Sequence, residues 1–422
     1  GLFYRINDNL ELSYNYRYGY GSTIFQGPDR FALRDFKVDF HKIELKNPNF
    51  FVRAYTSHTD GGDSYTLAAL GAYLNESIMP TGSWIPVYAG AYTGALLGGA
   101  DLATAQNAAR TAADATRPLV GSAEFNTAVE KIRSGVLGKG GAGFVDDSRL
   151  FHTEFNYNFG HLTDVVEVQV GGNYRKYDLF SDNAVLNEDP EETGIPQRIG
   201  INEIGIYTQL SKKLADDRLK LTASIRYDKN ENFDGQITPR ASMVYSAGEN
   251  REHNFRASFQ TGFRNPSTQA QFIYFPTTTI LLGGTKANAE RYGIHNGGAW
   301  TEASYQAYTG SIIGGAPDES LLKTIDFGYV QPEQLTAYEV GYKGILGGKM
   351  LVDLNYYYNK YTNFITQINV VSKEASAYLP AGTVFRPYLN VDEDITSTGF
   401  GLGLNYKLPK GFVLGGNYSY AD

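Results

Sequence analysis

The chain has 422 residues, a net charge of −8, 32 tyrosines, 24 phenylalanines, 47 glycines and no cysteine. Absence of cysteine excludes a disulfide framework, a thiolate metal site and a cysteine nucleophile, and an acidic balance without a clustered basic surface excludes nucleic acid as a partner. No linker or composition shift divides the length into separate soluble domains, so one large architecture with elaborated loops is expected.

From Leu2 to Tyr420, strand-like runs of about ten residues alternate between very short turns and long loops. Short turns fall at 7–9, 46–49, 160–163, 211–217, 247–252, 346–349 and 407–410. Longer connections fall at 21–34, 58–148, 179–198, 264–333 and 360–392, with a short exception at 230–235. An antiparallel meander puts alternate junctions on opposite ends, so the tight turns share one rim and the long loops the other. This asymmetry predicts an all-β fold: a transmembrane antiparallel up-and-down β-barrel in a bacterial outer membrane, with short periplasmic turns and long, partly helical extracellular loops.

Alternate residues of each run show what each face needs. Val166, Val168 and Val170 share one face, and Glu167, Gln169, Asn173 and Arg175 the other. Leu219, Leu221, Ala223, Ile225 and Tyr227 oppose Lys220, Thr222, Ser224, Arg226 and Asp228; Val352, Leu354 and Tyr356 oppose Asp353 and Asn355. Parity alone does not say which face is inside. A barrel of about fourteen strands is too wide for side chains to fill, so its interior is wet and polar. Tyrosines at strand ends, such as Tyr18, Tyr20, Tyr418 and Tyr420, suit the headgroup level. The apolar set therefore faces outer-membrane lipid.

Within the longest connection, 58–148, helical patterns appear at 63–76, 101–117 and 122–137, with Phe125, Val129, Ile132 and Val136 at helical spacing. The uncharged stretch 77–100 is long enough to span a bilayer, but Pro80, Pro86 and its glycines break it, and it reads as loop. Both tryptophans lie in long loops. Trp84 has Tyr88 and Tyr92 near it, and Trp300 has Tyr305 and Tyr308. Such rings either pack a loop core or offer a ligand a stacking surface.

No catalytic constellation can be assembled, so an enzyme is not expected, and neither is a cofactor. The six histidines are scattered, and His41 and Glu44, three apart on a strand, point to opposite faces. The acidic runs 187–192 and 392–394 lack regular calcium-ligand spacing and read as solvated loop charge. Glu339 and Lys343 share a lumen-facing strand face and are expected to pair with charges on a neighbouring strand or on a plug.

Three motifs occur in order: Ile237-Thr238-Pro239-Arg240 opening a strand, Phe263-Arg264-Asn265-Pro266 closing one, and Gln331-Pro332-Glu333 leading into Tyr338-Glu339-Val340-Gly341 after a long loop. Together they resemble the barrel of TonB-dependent outer-membrane receptors, and the opening stretch 10–55 resembles members with a carboxypeptidase-regulatory-like extension. The resemblance implies a receptor that binds a scarce small-molecule, saccharide or peptide solute and imports it through a plug-gated barrel energised by the TonB complex, with a surface lipoprotein as a further partner. It makes residues 1–422 the barrel domain, with plug and last strands outside it, and 58–148 an extracellular insertion. Arg264 and Asn265 join the two aromatic groups as candidate ligand residues; the alternative for Arg264 is a loop anchor. A passive channel or a surface-binding barrel without energy coupling is the rival reading.

Overall fold

The computed structural model describes all residues except 27–29, 164, 190–192, 276–279 and 377–378. Where apolar and polar residues alternate, the chain forms long strands. In order they are β1 (Leu2–Asn7), β2 (Leu10–Gln26), β3 (Arg30–Lys46), β4 (Phe50–Asp60), β5 (Asp147–Asn158), β6 (Glu167–Leu179) and β7 (Ile199–Leu214). The meander continues through β8 (Leu219–Asn230), β9 (Gln236–Ala247), β10 (His253–Arg264), β11 (Glu333–Leu346), β12 (Met350–Thr362), β13 (Ile395–Lys407) and β14 (Val413–Ala421). Each pairs antiparallel with the next, and β1 and β14 stand at the two edges of the path among the described residues.

The turn rim is built as the spacing predicts. Across the β11–β12 turn Leu346 faces Met350, and Gly347 and Gly348 take φ of +56° and +68°, the left-handed geometry that suits the strand twist and that side chains resist. On the other rim one expectation fails. Residues 21–34 are not an open loop, because Thr23, Ile24 and Phe25 pair in register with Leu33, Ala32 and Phe31. The glycine read as a loop start, Gly21, sits at a register shift instead, which bends a strand without ending it.

The outward face carries the large apolar side chains. Ile204, Ile206, Ile225, Val340 and Leu354 are between 43% and 54% exposed in the isolated chain. Charged residues of the opposite parity pair across strands: Lys343 with Asp353 at 3.1 Å, and Arg256 with both Glu339 and Asp353 at 3.3 Å. Glu339 and Lys343 thus pair with neighbouring strands, as one of their two expected modes requires.

The buried apolar cores lie in the loops. Between β4 and β5 stand α1 (Leu67–Ile78), α2 (Thr81–Leu97), α3 (Leu102–Asp114) and α4 (Ala123–Ser134). Three of these match the sequence patterns; α2 does not, since its stretch reads as loop. Pro80 serves as its N-cap residue and Pro86 lies inside it, where the ring normally breaks a helix. Helix α3 offers α2 an alanine stripe, Ala105, Ala109 and Ala113, fully buried, so close packing between the two helices outweighs the local penalty. No helix among the described residues is long and apolar enough to cross a membrane.

The β10–β11 and β12–β13 connections fold together. Ile280–Leu282 from the first runs parallel to Val384–Asn390 from the second, pairing Ile280 with Phe385 and Leu282 with Pro387. Leu282, Ile294, Val370 and Phe385 are essentially sequestered from solvent around this ribbon. Burying each stabilises the loop domain by about 1.5–3 kcal/mol, enough to hold both loops as one body over the rim.

Candidate functional site

Register builds a polar site on the inner wall. Across β5, β6, β7 and β8, His152, Arg175, Glu203 and Asn230 form one row of paired positions, and Glu154, Asn173, Gly205 and Asp228 form the row beside it. Glu203 is the hub. One carboxylate oxygen accepts from Arg175 Nη1 at 3.1 Å; the other accepts from Asn230 Nδ2 at 2.7 Å and Asn265 Nδ2 at 3.4 Å. Arg175 also donates through Nε to His152 Nδ1 at 3.3 Å, which fixes that nitrogen as the acceptor.

The second row is organised by Arg226. Its guanidinium makes a fork on Asp228, with Nε to Oδ2 at 2.7 Å and Nη2 to Oδ1 at 2.5 Å, and Nη2 also reaches Asn173 Oδ1 at 2.5 Å. It lies along the wall over Gly205, in space that a Cβ there would fill. An analogous arrangement places Arg256 against Gly341. Glycine inside a strand marks such a close approach.

Above these rows the first turn of the β10–β11 connection closes a cavity of about 510 Å³, lined by Arg175, Glu203, Arg226, Asp228, Asn265 and Gln271 among others. Gln271 is 2% exposed; its Nε2 donates to Pro266 O at 2.8 Å and its Oε1 accepts from Asn232 at 2.8 Å. The lining offers guanidinium forks, carboxylates and amides already hydrogen-bonded to one another. Such a surface recognises a polar solute by exchange of hydrogen bonds. No group of three or more metal-ligating side chains suitable for an ion occurs among the described residues.

The eight sequence candidates fall in four places. Asn265 lines the cavity. Arg264 instead ends β10 and pairs with Glu333 at the start of β11, Nη2 to Oε2 at 2.7 Å, while Ile365 N donates to the same oxygen at 3.3 Å; the pair ties the two ends of the β10–β11 connection together. Trp84, Tyr88 and Tyr92 form a ladder along α2, with ring centroids 4.9 and 6.1 Å apart. Trp84 Nε1 donates to Asp114 Oδ1 at 2.9 Å, and Arg110 of α3 lies over its ring. That bond and Arg110 hold the Asp114 carboxyl below its ordinary range. Trp300 stacks on Tyr305 at 5.7 Å, Tyr308 stands 6.5 Å beyond, and Lys373 Nζ sits over the indole.

The cavity itself is not legible in the sequence. Arg175, Arg226 and Asp228 are legible as lumen-facing, but their convergence with Glu203 and Gln271 depends on register between strands far apart in sequence. The one local signal was Gly205. The acidic run at 187–192 also differs from expectation where it is described: Glu188 is 1% exposed, and burial raises its carboxyl even though Ser181 and Asn183 donate to it. Pro190, Glu191 and Glu192 of that run lie outside the described residues.

An antiparallel wall of long strands with an apolar outer face, a charged inner face, tight turns on one rim and loop domains on the other defines an outer-membrane transport barrel. The chain belongs to the TonB-dependent receptor family: the sequence model described as "TonB dependent receptor-like, beta-barrel" matches residues 1–422. In structure it is similar to the siderophore receptor PirA from Pseudomonas aeruginosa, with 10% identity, a TM-score of 0.56 and coverage of 99% of this chain and 55% of that one. It is similar to PirA from Acinetobacter baumannii, at 10% identity, TM-score 0.52 and coverage of 99% and 51%. A mutant of the ferric enterobactin receptor PfeA from Pseudomonas aeruginosa aligns at 12% identity, TM-score 0.54 and coverage of 99% and 50%. The chain spans about half the length of these structures. No curated protein matches it.

Proposed function

We propose that this barrel serves an import receptor: the loop domains capture a scarce solute, which passes to the wall cavity around Glu203 and onward along the polar lumen once TonB, acting through a plug, opens the path. The observation that supports this is the cavity's position, with its floor on the inner wall of β5 to β8 and its roof on the first turn of the loop domain. A solute held there touches both the capturing loops and the transport path. The insertion expected at 58–148, of which 61–146 lie between β4 and β5, is extracellular in this reading, and the aromatic groups at Trp84 and Trp300 are outer contacts, with a surface lipoprotein as a further partner. Siderophore receptors are among its structural neighbours at identities that speak to fold alone, so saccharides, peptides, cobalamin and ferric chelates all belong in the test panel.

The test is uptake and surface binding of radiolabelled panel members by cells that carry the receptor, with and without TonB. Energised import predicts that uptake is lost without TonB while surface binding survives. Uptake that persists without TonB overturns the energised reading in favour of a passive channel.

A further inference from the structure

The outward wall carries an apolar groove of about 620 Å³ that the transport path does not use. Its floor is Ala223, Ala241 and Ala257, on three adjacent strands. Ala223 pairs with Ala241, and Ala257 pairs with Met243, one outward row nearer the turns. Larger side chains stand at its ends, Leu210 beside Ala223 and Phe259 beside Ala241, and the volume falls in the roughly 300–1,000 Å³ range of small-molecule sites. Because it spans β7 to β11, the groove lies in the middle of the strand path, remote from both edge strands.

Its depth is set by register. Ala223 is four residues from the start of β8, about 13 Å along the strand and about 10 Å of membrane depth at the usual tilt. Beyond the Ala257 row, the next outward row toward the turns is Leu219, Tyr245, Phe255 and Tyr342, an aromatic girdle at headgroup level. The groove therefore sits in the periplasmic half of the hydrocarbon. At its turn-rim end Lys212 lines it: exposed, on the outward parity opposite Leu221 and so level with Met243 and Ala257, one outward row inside the girdle, from where its long side chain extends along the wall to carry the charge to headgroup level. Its neighbour Lys213 pairs with Asp217, whereas Lys212 has no ion pair among the described residues.

We propose that this groove is a binding site for one acyl chain of an anionic phospholipid in the periplasmic leaflet, with the phosphate on Lys212. Continuity with the lipid-facing band supplies the occupant's class. The cation at the membrane-surface end, without a carboxylate partner in the described protein, supplies its charge and its direction: headgroup at the turn rim, chain running up over the three alanines. A well-fitted chain there would hold the wall's centre against lipid exchange.

The experiment folds the receptor into vesicles of phosphatidylethanolamine and phosphatidylglycerol that contain a trace of phosphatidylglycerol bearing a diazirine midway along one chain. After irradiation, labelled residues are mapped by mass spectrometry. The expected result is label concentrated on Ala223, Ala241, Met243 and Ala257 over equivalent outward positions such as Val52 and Phe155, with loss of that label in Ala241→Phe. Lys212→Gln should reduce groove label from the phosphatidylglycerol probe and leave label from a neutral diacylglycerol probe unchanged. Label spread evenly around the band, or an unchanged pattern in Lys212→Gln, overturns the proposal. Cross-links between two receptor copies through these alanines, with no lipid label, assign the groove to self-association instead and also overturn it. Should Ala241→Phe fail to fold, the wild-type map and Lys212→Gln still decide.

Discussion

The guanidinium of Arg226 occupies the space over Gly205 on the neighbouring strand that a β-carbon would otherwise take. The same guanidinium holds Asp228 and Asn173, so one missing methyl lets a single arginine tie Asp228 on β8 to Asn173 on β6 across the strand between them. Gly205→Val should displace the fork and cost about 1–3 kcal/mol, the usual range for overpacking. Gly200→Ala, on the same strand with open space around it, should be nearly neutral by comparison. Urea unfolding of the barrel in vesicles measures both, and equal costs would separate the glycine from the arginine.

Ile225 points outward from the middle of β8 and is 50% exposed, while Ser224 beside it faces the lumen. Ile225→Arg should destabilise the folded barrel by about 2–4 kcal/mol and Ser224→Arg by much less, since only the first puts a charge in hydrocarbon. The reverse order in the same unfolding assay would invert the wall.

Rim assignment can be read on intact cells. Gly99 and Gly315 lie at loop positions with φ of +85° and +78° and nothing packed against them, so short epitope insertions there should be tolerated and reached by antibody. A tag at Gly347, in the β11–β12 turn, should be reached only after the outer membrane is opened. Labelling of Gly347 on intact cells would turn the barrel over.

How much of this was legible in the sequence follows from range of interaction. Strand parity and turn spacing are local, so the meander, its two unequal rims and the inward Glu339 and Lys343 can be read directly. Residues 21–34 misled because a bulge and a loop start share the same glycine signal, and only pairing of Phe25 with Phe31 separates them. Helix α2 misled because its stability comes from the alanine stripe of α3, not from its own residues. The wall cavity was hidden for the same reason: Glu203 gathers Arg175, Asn230 and Asn265, and the register that joins them is a property of the sheet.

The α2–α3 pair offers a pH test. Asp114 caps the interaction of Trp84 with α3, and the indole N–H, then Arg110, hold its carboxyl below the ordinary range. A carboxyl whose folded value is depressed contributes stability that is present above the unfolded value, about 3.9, and lost as pH falls through the folded one. The helical hairpin should thus keep its packing at neutral and mildly acidic pH and loosen only below about pH 4. Trp84→Phe keeps a ring in the ladder but removes the N–H donor, so the Asp114 titration should move up toward the ordinary carboxylate value, with Arg110 still holding it partly down. The carbon-13 methyl resonance of Ala113, adjacent in sequence and fully buried, reports both the titration and the packing. If that midpoint is identical in Trp84→Phe, the indole is not what holds Asp114, and the ladder on α2 is free to serve a ligand instead of the loop core.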